Sequence, residues 1–382
     1  MSFINIFDSL LNGGEFWKRI HHMNEYRHTI NADGGYWSAR FTMPVRGTDI
    51  DMWVQAGLGK HVEVSSSTLD VYWIGFINKI SVNYGPVVMS HGPLMDIANR
   101  VDLVYSAIDT TTTPPTTGIR LKTGFANDTD SQEKFGIITK VLSTGGVDEE
   151  NAGEGSRIRD LFLDENKYPS TSNRWSTEST SPGLLTVECL GYIHWLNYAY
   201  NNETAGTQNA STKISTVLNG TYNPNNSWLP FDTSGIDSNT IQVGAWENED
   251  KIALDVIKKV VAQGDASNNR WLFAVYGTAA EYKAIPTSID YLTRLSDPKL
   301  KITTTDGGKI EKWNVLPGKW LMFTDFITSY VSNDVDFLRE DPRVMFIESV
   351  SFMAPDTLRL TGGTTDTLAQ YISRLGLSGV GA

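Results

Sequence analysis

The chain has 382 residues, 40% apolar and 20% charged, which suits a folded protein with room for two or three domains rather than a disordered one. Its formal net charge of −12 argues against a basic nucleic-acid-binding stripe and suits a wall past which a polyanion slides without sticking. A single cysteine, Cys189, excludes an internal disulfide and thiolate-rich zinc sites.

No apolar run approaches the roughly 18 residues of a membrane span, and the N-terminus lacks the basic region of a signal peptide. The chain therefore reads as soluble and made in a reducing cytoplasm, and the Asn-X-Ser/Thr sequons at Asn127, Asn202, Asn209 and Asn219 read as chance in so Asn- and Thr-rich a sequence. Its 11 Trp, 15 Tyr, 15 Phe and 33 Gly tilt the expectation towards strands and turns.

In chain order, residues 16–30 fit a strand or a short helix equally well. Gly34-Gly35 signals a turn, Tyr36–Met43 reads as a strand, and Trp53–Val64 as another with Gly57-Leu58-Gly59 inside it. A turn over Ser65–Asp70 leads to the most regular segment, residues 71–84. There Tyr72, Ile74, Phe76, Ile80, Val82 and Tyr84 share one parity, broken only at Asn78, while Lys79, Ser81 and Asn83 take the other. That period of two is a half-buried β-strand. At about 3.3 Å per residue it would run roughly 45 Å, and Gly75 offers a bend that lets one strand serve two parts of a barrel. Val87–Ser90 follows as a strand, Gly92–Arg100 as a short helix with Pro93 in its first turn, and Val101–Ser106 as a further strand.

Thr110–Thr117, with Pro114-Pro115, is the clearest linker. Beyond it Asp130 to Glu133 resembles a capping box before a helix over Lys134–Leu142 that Gly145-Gly146 would end, and Gly155–Glu165 is a second helical pattern. Residues 166–183 read as a loop, Leu184–Cys189 as a strand, Tyr192–Tyr200 as a helix, and Ser211–Leu218 as a helix capped by Ser211. The strongest helical pattern is Asn248–Gln263, stopped by Gly264. Strand signals return at Trp271–Tyr276, Lys301–Thr305, Trp320–Thr324 and Arg343–Phe352, with turns at Gly307-Gly308 and Pro317-Gly318. Leu368, Tyr371, Ile372 and Leu375 mark a closing helix. The order is barrel-like, then mixed α/β, then β-rich again.

Several segments resemble tail proteins of tailed bacteriophages. They are Gly57 to Val64, Trp73 to Ile80, Gly92 to Val101, Ser131 to Ile137, Val187 to Tyr192 and Leu316 to Trp320. Within that group the chain is similar to the baseplate or tail-hub family, over roughly residues 35–325. The resemblance implies a mainly β fold with an α/β insertion: two tube-like antiparallel β-barrel domains separated by a mixed α/β domain. The divisions expected are 1–109, 118–265 and 266–382. It further implies a homo-oligomeric ring, a trimer in preference, capping the tail tube in the virion. Such a ring would contact the tail tube or distal tail protein above and a central spike or fibre below, while DNA passes through an acidic lumen without specific binding. A hexameric distal tail protein and a carbohydrate- or receptor-binding β protein are the alternatives.

Other residue clusters admit chemistry. His21, His22, Glu25 and His28 are the only dense ligand-type group, and on a helix His21, Glu25 and His28 would share a face. Without HExxH order, a surface or interface role is the reading taken. Asp148, Glu149, Glu150 and Glu154, or Asp160, Asp164 and Glu165, offer carboxylates for glycosidase-type chemistry, but read better as helix-dipole partners. Trp37, Trp53, Trp73, Trp228, Trp246, Trp313 and Trp320 are sugar platforms or, preferably, core and interface. Cys189 reads as inert. No P-loop, dinucleotide fingerprint or nucleophile elbow is present. No enzyme activity, cofactor or metal is expected, and Lys60, His61 and Glu63 are placed near the first ring interface.

Overall fold

A computed structural model describes residues 3–8, 14–66, 70–109, 116–148, 153–175, 181–200, 206–220, 223–244, 251–267, 269–294, 301–325, 344–353 and 357–363. Most of the Thr110–Thr117 linker, Glu149, Glu150, Asn202, Trp246 and the closing helix at 368–375 lie outside them.

The first third holds strands β1 (Phe3–Phe7), β2 (Phe16–Ile20), β3 (Glu25–Asn31) and β4 (Gly34–Pro44), helix α1 (Gly47–Ala56), and strands β5 (His61–Ser65), β6 (Val71–Gly85), β7 (Val87–His91) and β8 (Arg100–Asp109). Residues 16–31 are thus two strands, and the stretch expected as a strand over Trp53–Val64 begins as the end of α1 (Trp53–Ala56), turns, and is strand only from His61. Trp53 is the residue α1 buries, at 0% exposure. Gly57 ends α1 by donating its N–H to Trp53 O at 2.8 Å, and a Cβ there would stand 2.4 Å from that oxygen. The aromatic and β-branched content of 53–64 suggested a strand, but burying one indole against the sheet outweighs that weak preference.

β6 is the long strand that the alternation predicts, with one correction. Its second half, Lys79 to Asn83, alternates as expected, whereas Tyr72, Trp73, Phe76 and Ile77 in its first half are all buried. Two things change at its middle: Glu188 pairs with Lys79 but Cys189 pairs with Ile77, so Asn78 is an extra, bulged residue where the parity flips, and before it both faces of the strand are covered. Asn78, the residue that broke the apolar row, accepts a hydrogen bond from Met95 N at 3.0 Å. Before the bulge the strand packs back across the apolar faces of β3 and, below, of a late strand: Tyr72 lies 5.5 Å from the His28 ring and 6.3 Å from Phe352.

The middle of the chain supplies β9 (Thr116–Lys122), β10 (Ala126–Asn127), α2 (Thr129–Phe135), β11 (Thr139–Asp148), α3 (Glu154–Asn166), β12 (Thr171–Trp175), β13 (Ser181–Leu190), β14 (Ala199–Tyr200), β15 (Gln208–Asn209), α4 (Ala210–Asn219), β16 (Asp232–Ile236), β17 (Gln242–Val243), β18 (Lys251–Ile252) and α5 (Ala253–Val261). α2 starts earlier than expected because Asp128, not Asp130, is the cap, accepting from Ser131 N at 2.9 Å; Gly136 at φ 76° ends it. Residues 139–142, expected to be helical, open β11, which pairs parallel with β8. The helices expected at 92–100 and 192–200 shrink to 3-10 turns at Leu94–Asp96 and Tyr192–Leu196, and the loop expected over 166–183 contains β12. Ser211 is not the α4 cap; its hydroxyl donates to Asn239 O. α5 packs on α4.

The last third adds β19 (Trp271–Tyr276), β20 (Ala279–Ala284), β21 (Tyr291–Thr293), β22 (Ile302–Thr304), β23 (Lys309–Ile310), β24 (Trp320–Phe323), β25 (Val344–Met353) and β26 (Thr357–Gly363). The Gly307-Gly308 turn does join a hairpin, β22 to β23.

One sheet runs β2-β1-β5-β6-β13-β4-β3-β25-β26, all antiparallel. Phe76 pairs with both His61 and Leu190, and Val82 with both Leu185 and Met89. β5 and β7 therefore share one edge of β6 in succession, while β13 takes the other. Branches leave β4 through β19, β20 and β16, and leave β25 through β24, β21, β22 and β23. The ladder does not close into a barrel among the described residues, so the fold is mainly β with five helices, and the closed barrels expected from sequence are not seen.

Gly75 is not simply a bend: a Cβ there would lie 2.2 Å from Leu190 O, so its role is close approach of β13. Gly75→Ala is expected to lower stability by about 1–3 kcal/mol, and Trp73→Ala by about 3–5 kcal/mol, in urea titration. Val71→Ala, at an exposed position, should change it by less than about 0.5 kcal/mol.

Candidate interaction surfaces

The residues expected at an interface sit where β1 meets β5. Lys60, 7% exposed, pairs with Asp8 and lies 4.6 Å above the Trp17 ring. His61 is 5% exposed, its Nδ1 2.6 Å from the Tyr192 hydroxyl and its Nε2 3.3 Å from Glu63 Oε1. Burial pushes the Tyr192 hydroxyl up, and the nearby Glu63 carboxylate adds to that, so it stays protonated. Lys60 and His61 thus hold the corner together inside the chain, and only Glu63 offers partly open surface. Asp8 and Lys60 also line a cleft of about 570 Å³ whose far wall is Gln132, Glu133 and Lys134 of α2 with Trp228.

The histidine group does not assemble. His21 and His22 are exposed between β2 and β3, and Glu25 is exposed on β3. His28 is 2% exposed on the opposite face, stacked on Phe352 at 5.4 Å and 2.9 Å from the Tyr26 hydroxyl through Nδ1. Its removal from water lowers its pKa to about 3. No cluster of three or more metal-ligating side chains occurs among the described residues.

Three of the candidate carboxylates are surface partners. Glu154 accepts from Arg157 Nε at 2.8 Å, Asp160 pairs with Arg159 at 2.8 Å and Asp164 with Lys167 at 2.8 Å. None of them lines either large cleft. Trp53, Trp73 and Trp320 are core, Trp37 packs edge-on to His194 and Trp228 edge-on to Trp195, and Trp313 is half-buried near Tyr72. Among the described residues the most exposed indole is that of Trp175, at 69%, opposite Val87, which in turn faces the 44% exposed Tyr84; no sequence pattern singles it out. Cys189 is buried and its thiol pKa is pushed up, so it is inert.

Another feature missed in the sequence is a groove of about 810 Å³ over the polar face of the main sheet, where β6, β13, β4, β3, β25 and β26 lie side by side. The registers align its residues in rows. Lys79, Glu188, Arg40, Arg27, Met353 and Thr357 stand opposite one another in turn. Ser38, Thr29, Ser351 and Arg359 form the next row, and Thr29 Oγ1 lies 3.3 Å from Ser351 Oγ. The groove is therefore locally cationic on an acidic chain.

No protein-family profile matches the chain, and no curated protein matches its sequence. Among solved structures it is similar to the 43 kDa tail protein of prophage MuSo2 from Shewanella oneidensis, at 7% identity and TM-score 0.43, over 95% of this chain and 96% of that one. It is also similar to a tail protein from Neisseria meningitidis MC58, at 9% identity and TM-score 0.40, over 94% and 95%.

Two outcomes follow from the geometry. Lys60→Glu places a carboxylate beside Asp8 and is expected to cost about 2–4 kcal/mol in urea titration, whereas Glu63→Lys keeps the wild-type midpoint. His28 binds its proton more weakly folded than unfolded, so its neutral form stabilises the fold; that stability is complete above about pH 6.5 and falls as pH drops towards about 3. By pH 4 the loss amounts to roughly 3 kcal/mol, and His28→Gln should flatten the stability-versus-pH curve by that amount.

Proposed function

We propose that this chain is a structural component of a bacteriophage tail tip or baseplate, a hub ring that caps the tail tube, connects it to a central spike or fibre and leaves a channel for DNA. The observation that carries the reading is spatial. Five of the six segments that resemble tail proteins, distant in sequence, meet around β6. A Cβ on Gly57 would lie 2.5 Å from Ile80 Cδ1, one on Gly92 2.6 Å from Asn78 O, and one on Gly75 2.2 Å from Leu190 O. His61 bonds to Tyr192, and Asn99 donates to Ser131 Oγ at 3.3 Å. Turn and packing residues that converge in this way are a structural signature rather than a catalytic one, and the proposed role is non-enzymatic.

In this reading residues 1–109 and 266–382 supply two tube-like walls with 118–265 between them in sequence, three chains form the ring, and the mature protein resides in the virion. Glu63, the open member of its corner, is proposed as a contact to the next subunit. The sheet supports the reading through its construction: one face forms the core, the other is polar and reaches solvent, and edge strands remain to be paired or covered. A glycan-binding role is the second reading, favoured by the exposed Trp175 beside Val87 and Tyr84.

Light scattering of the purified chain followed by particle averages in the electron microscope tests the proposal. A three-fold ring with a central channel is the expected result, and a six-subunit ring points to the distal tail protein instead. A monomer that loses glycan affinity on Trp175→Ala overturns the ring in favour of the second reading.

A further inference from the structure

We propose that the arginine-lined face of the main sheet receives helix α3 of a second copy of this chain, in a head-to-tail contact that repeats around the ring. The proposal rests on the ring reading and names its contact.

The groove presents unsatisfied charge. Arg27 and Arg359 are exposed and Arg40 is half-buried, and none of the three makes an ion pair or a side-chain hydrogen bond among the described residues. Arg40 Nε is shut off from solvent with no hydrogen-bond acceptor. Arg27 and Arg40 stand directly opposite on adjacent antiparallel strands, where like charges oppose pairing. Glu188 offsets part of this charge and Lys79 adds to it. Between Arg27 and Thr357, Met353 exposes 51% of its surface. A ligand for this face carries two or three carboxylates around an apolar spot.

Helix α3 carries that pattern outwards. Its inner face packs on β8, β10 and β11. Its outer face presents Asp160, Asp164 and Glu165 around Leu161, which is 50% exposed, with Tyr168 at 47% just beyond the helix. The spacing of four residues sets Asp160 above Asp164 and Leu161 above Glu165. Glu165 has no partner among the described residues, while Asp160 and Asp164 each keep lone pairs for a second, charge-assisted bond beyond Arg159 and Lys167. The three carboxylates span about 8 Å of helix, within the roughly 14 Å from β4 to β26.

Charge decides between occupants. A row of arginines on a channel wall would hold the phosphodiester backbone that the channel must release, so this face belongs at a contact and not on the lumen. Copies that each carry −12 repel one another, and association requires local complementarity of this kind. Because groove and helix are different surfaces, the contact is heterologous, the type that builds a ring where the rotation closes and an open filament where it does not.

The test is a charge swap in the full chain, read by sedimentation and light scattering at low and high salt. Arg27→Glu with Arg359→Glu, both at exposed positions, and separately Asp160→Arg with Glu165→Arg, should each weaken self-association more than about tenfold while leaving the circular dichroism unchanged. In an equimolar mixture each variant's groove matches only the other variant's helix, so association returns in strict alternation of the two, which cannot close a three-membered ring. All four reversals in one chain restore rings. Rings that ignore either variant overturn this contact and leave the ring reading standing; a wild-type monomer at low salt overturns both.

Discussion

The architecture depends on the double pairing of β13. It forms hydrogen bonds to β6 along one edge and β4 along the other, and its Leu185, Val187 and Cys189 are buried beneath both. Without it the chain would hold two wings, β2-β1-β5-β6 and β4-β3-β25-β26, each ending in an open edge of unpaired amides and carbonyls. Buried backbone groups need partners, so the join is a requirement of the core and not an addition to it. Gly75 and Gly191 show how tight it is. A Cβ on the first would meet Leu190 O at 2.2 Å, and one on the second would meet Tyr36 O at 1.7 Å.

Where a segment's neighbours impose only one period, the sequence could be read. The second half of β6, β13 and α3 are such segments, each with one clear face. Reading failed where a distant partner decided the outcome. Residues 139–142 look helical after a capping signal, yet β8 recruits them into a parallel pair, and nothing local in Thr139 to Leu142 announces β8. At Trp53 the side-chain type pointed to a strand, and burial of a single ring made a helix. His28 was legible in hindsight: Tyr26, His28 and Ile30 share the buried parity of β3, which separates His28 from His21 and Glu25 without any structure.

The interaction surfaces were less legible for a similar reason. Each polar row was visible within its own strand, as in Lys79, Ser81 and Asn83 or in Arg27 and Thr29. That Arg27, Arg40 and Arg359 gather on one face follows from registers between strands more than 300 residues apart. A net charge of −12 is an average over the molecule, whereas fields at physiological salt reach about 8 Å, so a patch of opposite sign survives within it. Lys60 and His61 illustrate the converse: charged residues in a motif drew attention as surface, and the fold places them inside.

The position of β13 in the chain has a consequence for synthesis. About a hundred residues separate the end of β6 from the start of β13. At roughly 5–20 residues per second, a ribosome leaves the emerging β4 and β6 waiting several seconds for the strand between them. During that interval the nascent chain displays two long, partly apolar strands with vacant edges, which in a crowded polysome invite pairing with the same segments of neighbouring chains. The yield of correctly folded chains therefore depends on how well those edges are shielded until residue 190 has left the exit tunnel.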